Sequence, residues 1–215
     1  MRSSQRFLRH FVWAAAVLTA PALPAETIRN HFDTDSVMRA PGFFDAAVLG
    51  APGPARWLVL VDPNPPSAPN KLSQVEAQRP ADSIAAAIRR TYAFQDGTVS
   101  TFTKRGGSRA GLLLRFQDDK TFVVLLADTT AGDVVLTSYR DGKATELGRG
   151  RVKFERDWEK LAVVANGPAL TALFNGQKVF EAKDPNPASG RTGLAAAGPG
   201  EASFDEFVLE FAPKP

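Results

Sequence analysis

Residues 111–139, GLLLRFQDDKTFVVLLADTTAGDVVLTSY, decide the fold. Three short apolar runs, 111–116, 121–126 and 134–139, are separated by polar breaks, and each carries the aliphatic, β-branched or aromatic residues that suit strands. The same texture continues outward at 57–61, 98–103, 161–165, 170–174, 178–180 and 203–211. Asp141-Gly142, Asn166-Gly167 and Asn175-Gly176 punctuate these runs as hairpin turns, since the first residue tolerates and the second prefers a positive φ. Short strands with turns about every 8–12 residues predict an all-β sandwich of two antiparallel sheets. Residues 82–90 admit two helical turns, with Asp82 as N-cap and Ile84 and Ile88 on one face. Residues 62–82 read as a long ordered loop, because prolines at 63, 65, 66 and 69 do not suit a central strand.

Residues 1–25 have the order of a secretory signal peptide. Arg2, Arg6 and Arg9 precede an apolar stretch from Phe11 to Leu18, and small residues around Ala22 and Ala25 follow. The apolar stretch is well short of the ~20 residues that span a bilayer, so no transmembrane anchor is expected. Cleavage after Ala25 would leave a domain from 26 to 215, in the periplasm or outside the cell. The leader also distorts the charge. Of 26 basic and 23 acidic residues it holds three arginines and no acid, so the remainder is balanced, and nucleic acid is not an expected partner. There is no cysteine, which excludes thiolate metal sites and cysteine nucleophiles, and outside the leader His31 is the only histidine.

Phe32-Asp33, Trp57-Leu58-Val59, Pro66-Ser67-Ala68-Pro69-Asn70, the Ala110 to Arg115 run, Trp158 to Val163, Asn175-Gly176, Gly193-Leu194 and Phe204-Asp205 follow one another in a set order along the chain. Together these pieces resemble secreted proteins of the concanavalin A-like lectin/glucanase fold, nearest to the family-16-glycosidase-like or 3-keto-disaccharide hydrolase group. The resemblance implies a jelly roll of two antiparallel sheets with a concave, ligand-bearing face. It also implies a structural calcium near the first and last strands, with Asp33 and Asp205 as its carboxylates; local turn capping by both aspartates is the competing reading. Thr121 to Leu126 stands where similar proteins carry Asn-Tyr-Tyr and a second arginine. Arg109-Ala110-Gly111 replaces the Asn-Ser-Gly of the enzymatic branch, so hydrolase activity does not carry over with the fold.

Arg115, Asp128 and Tyr139 are the candidate ligand-binding residues, expected to cluster at one rim if their strands are neighbours. An ion pair between arginine and aspartate is the competing structural role. Glu155, Asp157 and Glu159 have the E-x-D-x-E spacing of retaining glucanases, but the apolar face shifts from even numbers (Val152, Phe154) to odd (Leu161, Val163). A turn is therefore expected there rather than a carboxylate-bearing strand, and no catalytic residue is assigned. Gly106-Gly107-Ser108 lacks the second glycine and following helix of a nucleophile elbow and reads as a turn. Trp57 and Trp158 suit the core better than a sugar platform. The expected function is an exported, non-catalytic binding or interaction module for carbohydrate or an envelope component. A glycoside- or 3-keto-glycoside-processing hydrolase and a structural envelope protein remain as alternatives.

Overall fold

In a computed structural model, residues 26–50 and 52–211 are described, and the leader with its cleavage site lies outside them. The described chain forms fifteen strands and no helix. Sheet A has the order β13(Gln177–Lys183), β12(Ala169–Phe174), β11(Trp158–Asn166), β6(Gly97–Lys104), β15(Ala202–Phe211), β4(Asn70–Gln74), β3(Trp57–Val61). Sheet B runs β10(Lys143–Arg151), β9(Asp133–Arg140), β8(Thr121–Asp128), β7(Arg109–Asp118), β14(Arg191–Ala197), β5(Ser83–Arg89), β2(Phe44–Gly50). Every pairing is antiparallel.

The predicted hairpin turns close this sandwich by two routes. Asp141 and Gly142 (φ 51° and 79°) and Asn175 and Gly176 (51° and 79°) both hold positive φ at each central position, the type I′ arrangement. Between β11 and β12 the central residues are instead Gly167 and Pro168, since Asn166 pairs with Ala169. Glycine therefore takes the first, positive-φ place (53°).

Two expectations are corrected. Residues 83–89 are β5, not a helix: Ala85 and Ala87 face sheet A while Ile84, Ala86 and Ile88 face the other way, and all seven residues are buried. A strand buried on both faces shows no alternation, so its periodicity cannot be told from that of a short helix. The stretch 62–82 is not one loop either. Asp62 donates its N–H to the Pro69 carbonyl (3.1 Å), closing a proline-rich connection into β4. The polar residues Asn70, Ser73 and Gln74 are buried in that strand, which hid it from a hydrophobicity reading.

Leu112, Leu114, Val123, Leu125 and Leu136 of sheet B interdigitate with Val59, Leu72, Val99, Leu161, Val163, Phe204 and Leu209 of sheet A. Trp57 is 3% exposed and belongs to this core, and Trp158 is 9% exposed at its margin, so neither is a surface platform. The alternate side chains of sheet B form a second apolar cluster on its outer face, around Leu113, Phe122, Val124 and Leu126.

Candidate functional site

The outer face of sheet B carries a groove of about 200 Å³ along β8 and β9. Its floor is made by Ile84, Val124, Leu126, Val135 and Ala197; its walls carry Asp82, Arg109, Asp128, Asp133, Glu146 and Arg149, with Thr137 and Tyr139 along β9. Strand alternation explains the lining: 133, 135, 137 and 139 are successive outward positions of one strand. The Tyr139 ring lies flat on Phe122, with centroids 4.4 Å apart and planes 16° apart. Burial raises its hydroxyl pKa, Arg109 pulls it back and Asp82 raises it further, so all three groups share one field. Asp82 and Tyr139 also line an adjoining shallow depression with Asp119, Lys120 and Ala144.

The wall charges divide by commitment. Arg149 bridges Asp133 and Glu146, the latter at 2.7 Å. Asp128 Oδ1 accepts the N–H groups of Thr130 and Ala131 at 2.9 and 2.8 Å, and so caps its own turn. Arg109 donates one bond to the Ala81 carbonyl at 3.0 Å and is otherwise exposed, as is Asp82. Asp133 is a wall residue that sequence reasoning missed, although reading 128–133 as a hairpin would have set it opposite Asp128.

Of the three expected binding residues, the groove holds Asp128 and Tyr139 but not Arg115. β7 and β8 are antiparallel, and Asp128 lies beyond the Ala110/Ala127 pair. Six strand steps, roughly 20 Å, therefore separate it from Arg115. Arg115 is 0% exposed, donates to Asp184 at 2.7 Å and to the Gly167 carbonyl at 2.5 Å, and shares Asp184 with Arg140 at 2.9 Å. The expected ion pair exists, but its partner is Asp184. A bulge turns Arg115 inward at φ 50°. Gly190 must stay glycine beside it, because a Cβ there would lie 2.5 Å from the Arg115 carbonyl carbon.

Asp33 and Asp205 do meet. β4 flanks the first half of β15 and β1(Glu26–Asn30) flanks the second, on the same edge. Asp205 sits where β15 passes from one partner to the other, and Asp33 follows β1. Ser67 joins them: its hydroxyl bonds to Asp33 and its N–H donates to Asp205 at 2.6 Å. Asn70 reaches the same gap, where its N–H donates to Asp33 and its amide nitrogen to the carbonyls of Phe32 and Asp33, each at 3.2 Å. Burial raises the Asp205 carboxyl pKa to about 7; the N–H groups of Ser67 and Glu206 oppose this, and the carboxylates of Glu206 and Asp33 reinforce it. Two carboxylates, backbone carbonyls and the buried, unpartnered Asn70 Oδ1 make an all-oxygen donor set, which fits a hard cation such as calcium. No group of three acidic or histidine side chains gathers there or elsewhere among the described residues, so carbonyls and water would have to complete the shell.

Glu155, Asp157 and Glu159 are not presented together. β11 begins at Trp158, and Glu159 alone turns inward, 1% exposed. One of its oxygens accepts the N–H groups of Glu155 and Arg156 (both 2.8 Å) and the other accepts the Asn175 amide (2.6 Å). Glu155 is exposed and paired with Lys153. Ser108 is also structural: it accepts Arg79 at 2.9 Å and donates to the Ala197 carbonyl at 3.0 Å.

Against known proteins, no family model and no curated protein matches the chain. Solved structures do. The carbohydrate-binding module CBM66 of Bacillus subtilis aligns at a TM-score of 0.60 with 14% identity, over 78% of this chain and 97% of that one. The β-glucanase of Bacillus licheniformis aligns at 0.57 with 10% identity, over 85% and 97%. A Bacillus subtilis protein of unknown function with a galectin-like fold aligns at 0.56 with 13% identity, over 86% and 94%. At such identities the likeness concerns architecture, and the narrower kinship with 3-keto-disaccharide hydrolases finds no match. The fold is an all-β sandwich of two antiparallel sheets, of the concanavalin A-like and galectin-like jelly-roll kind.

Proposed function

We propose that the protein is an exported, non-catalytic module that binds carbohydrate in the groove of sheet B. The observation that carries this reading is the convergence of Tyr139, Asp82 and Arg109 over an apolar floor. A tyrosine ring held flat by Phe122 offers a surface for the C–H face of a sugar, and an uncommitted carboxylate and guanidinium beside it offer hydrogen-bond partners for ring hydroxyls. Export is supported by the order of charge, apolar and small residues in 1–25. The absence of catalysis is supported by Glu159, whose carboxylate is sealed and fully bonded while Glu155 and Asp157 lie in the preceding turn.

Calcium binding by Asp33 and Asp205 belongs to the same proposal. There the ion would neutralise the buried Asp205 carboxylate and the partly exposed Asp33 carboxylate, and hold β1 beside β4 on one edge of β15.

A second reading is a structural role in the envelope, favoured by the outer face beyond the groove, where Ile88, Leu113 and Phe122 are apolar and buried and offer a glycan no polar group. A glycan screen on the chain lacking residues 1–25, with product analysis, separates these. Retained glycans without released reducing ends support the proposal, and Glu155→Gln should change nothing. Turnover that falls a hundredfold in Glu155→Gln or Glu159→Gln, with unchanged melting, would establish an enzyme instead. Failure to retain any glycan would favour the structural reading.

A further inference from the structure

The two sheets are closed along one edge of the sandwich and open along the other. At the edge formed by β10 and β13, glycines let the sheets touch: a Cβ at Gly148 would lie 2.7 Å from the Phe180 ring, and one at Gly150 would collide with Val179. At the opposite edge β3 ends sheet A and β2 ends sheet B. There the short side chains of Ala46, Ala55 and Ala87 leave a slot of about 270 Å³, whose other walls include Pro41, Phe44, Trp57 and Leu58. Its lining is apolar apart from Arg56. Trp57 is 3% exposed, and its indole N–H is buried without a partner. A buried donor left unpaired is costly, and in the wall of an open slot it points to an occupant that brings an acceptor.

The segment that bounds the slot supplies a second observation. Residues 37–43, Val-Met-Arg-Ala-Pro-Gly-Phe, run beside β3, where Met38 donates its N–H to the Val59 carbonyl and Val59 donates its own to the Arg39 carbonyl, each at 2.8 Å. Val37, Met38 and Phe43 are 43, 62 and 56% exposed, so three large apolar side chains stand out from one short stretch. Single exposed apolar residues are ordinary, but a group of them beside an apolar opening marks an interaction site.

Charge gives the sign of the partner. Arg39 and Arg56 are exposed, and neither guanidinium has an ion pair or hydrogen bond among the described residues. Arg89 lies over the Phe43 ring at 4.7 Å, and Arg90 pairs with Asp45 at 2.8 Å. The acids facing these arginines are Asp45 and Asp35, the latter beside Gly42. A lipid answers all three features. It brings hydrocarbon for the apolar side chains and the slot, an anionic head for the free arginines, and an ester carbonyl as acceptor for the indole N–H.

We propose that the 37–43 segment docks the protein onto an anionic lipid surface. Val37, Met38 and Phe43 enter the headgroup boundary, Arg39 and Arg56 meet lipid phosphates, and the slot takes one acyl chain. The docking does not rest on the carbohydrate reading, because the groove lies on the outer face of sheet B and the slot at the β2/β3 edge.

The test is sedimentation with vesicles of phosphatidylglycerol and phosphatidylcholine in equal parts, or of phosphatidylcholine alone. It uses the full chain and, in parallel, the chain from Glu26 onward, with variants compared within each form so that residues 1–25 contribute equally. The chain from Glu26 should prefer the anionic vesicles about tenfold, and Arg39→Glu with Arg56→Glu should abolish that preference. Met38→Asp with Phe43→Asp should weaken binding to anionic vesicles about tenfold in that form. If the shorter form does not fold, the loss from wild type to each variant in the full chain decides. All four positions are exposed, so melting should stay near wild type. Anionic vesicles with brominated acyl chains should quench the tryptophan emission of the chain from Glu26, and Ala46→Phe, which fills the slot from an exposed position, should remove the quenching. Equal binding to both kinds of vesicle, or undiminished binding by the Met38→Asp, Phe43→Asp variant, would overturn the proposal. So would a dimer that this variant abolishes in a protein that ignores vesicles, since the patch would then belong to a second copy. Undiminished quenching in Ala46→Phe would overturn the role of the slot. Vesicle binding by a protein that retains no glycan would sustain the docking and reject only the carbohydrate reading; glycan binding without vesicle binding would do the reverse.

Discussion

Two polar clusters of sheet B differ in one respect that separates structure from function. Around Arg115 the charges are buried and mutually committed: Asp184 lies between two guanidiniums, and Arg115 is as inaccessible as Leu114 beside it. Around Tyr139 the charges are partly exposed, and Asp82 and Arg109 are not held in ion pairs with each other. Arginines and aspartates occur in both, so composition cannot tell them apart. Burial with ion pairing makes a cluster a support, whose loss is felt as stability; exposure beside a fixed aromatic ring makes it a site, whose loss is felt as binding.

The largest effect that tests this contrast is Arg115→Met. Removing one partner of a buried ion cluster typically costs about 3–5 kcal/mol, so denaturant unfolding should show a loss of that order. A loss below 1 kcal/mol would mean that the cluster supports little.

The pair of Asp33 and Asp205 falls between the two kinds: Asp205 is buried, Asp33 is partly exposed with His31 at 3.8 Å, and no lysine or arginine lies between them as Arg115 and Arg140 flank Asp184. If calcium fills that role, hundredfold excess over its dissociation constant should add about 2.7 kcal/mol. A chelator should lower the melting temperature, calcium should restore it, and Asp205→Ala should abolish the response. An unchanged melting curve in chelator, starting from calcium-loaded protein, would reassign the pair to turn capping.

Asp62 gives a smaller, pH-dependent counterpart. Burial alone would raise its pKa, but Lys104 at 2.7 Å and Lys71 at 3.0 Å hold it down to about 2. A carboxyl depressed in the folded state stabilises above its unfolded pKa near 4 and loses that contribution as pH falls toward 2. The loss is about 2.5 kcal/mol at most, at about 1.4 kcal/mol per pKa unit. Asp62→Asn should be less stable than wild type at pH 6 and equal to it near pH 2; an equal gap at both pH values would contradict the pairing.

The legibility of this protein from its sequence followed the same division. Asp141-Gly142 and Asn175-Gly176 were readable because left-handed backbone has few tenants, and the shift in apolar parity around Glu155 and Asp157 marked a turn because strand alternation is strict. β4 and β5 were not readable: one buries Asn70, Ser73 and Gln74, and the other buries both faces with alanine and isoleucine. Tyr139, Asp128 and Arg115 read as one cluster in sequence; the first two line one groove, whereas Arg115 lies toward the other end of β7, which only the strand register shows. Asp82 and Arg109 were out of reach for a different reason. They flank the groove because β14, late in the chain, inserts between β5 and β7, and no local pattern encodes that order.

The most direct test is a calorimetric titration of a retained oligosaccharide into the cleaved chain and three variants. Tyr139→Ala and Asp82→Asn should each weaken binding about tenfold, a loss of about 1.4 kcal/mol, with melting temperatures near wild type. Arg115→Met should melt lower yet bind with wild-type affinity under conditions where it is folded. Unchanged affinity in Tyr139→Ala and Asp82→Asn, with binding lost in folded Arg115→Met, would contradict the account and move the site to the buried cluster.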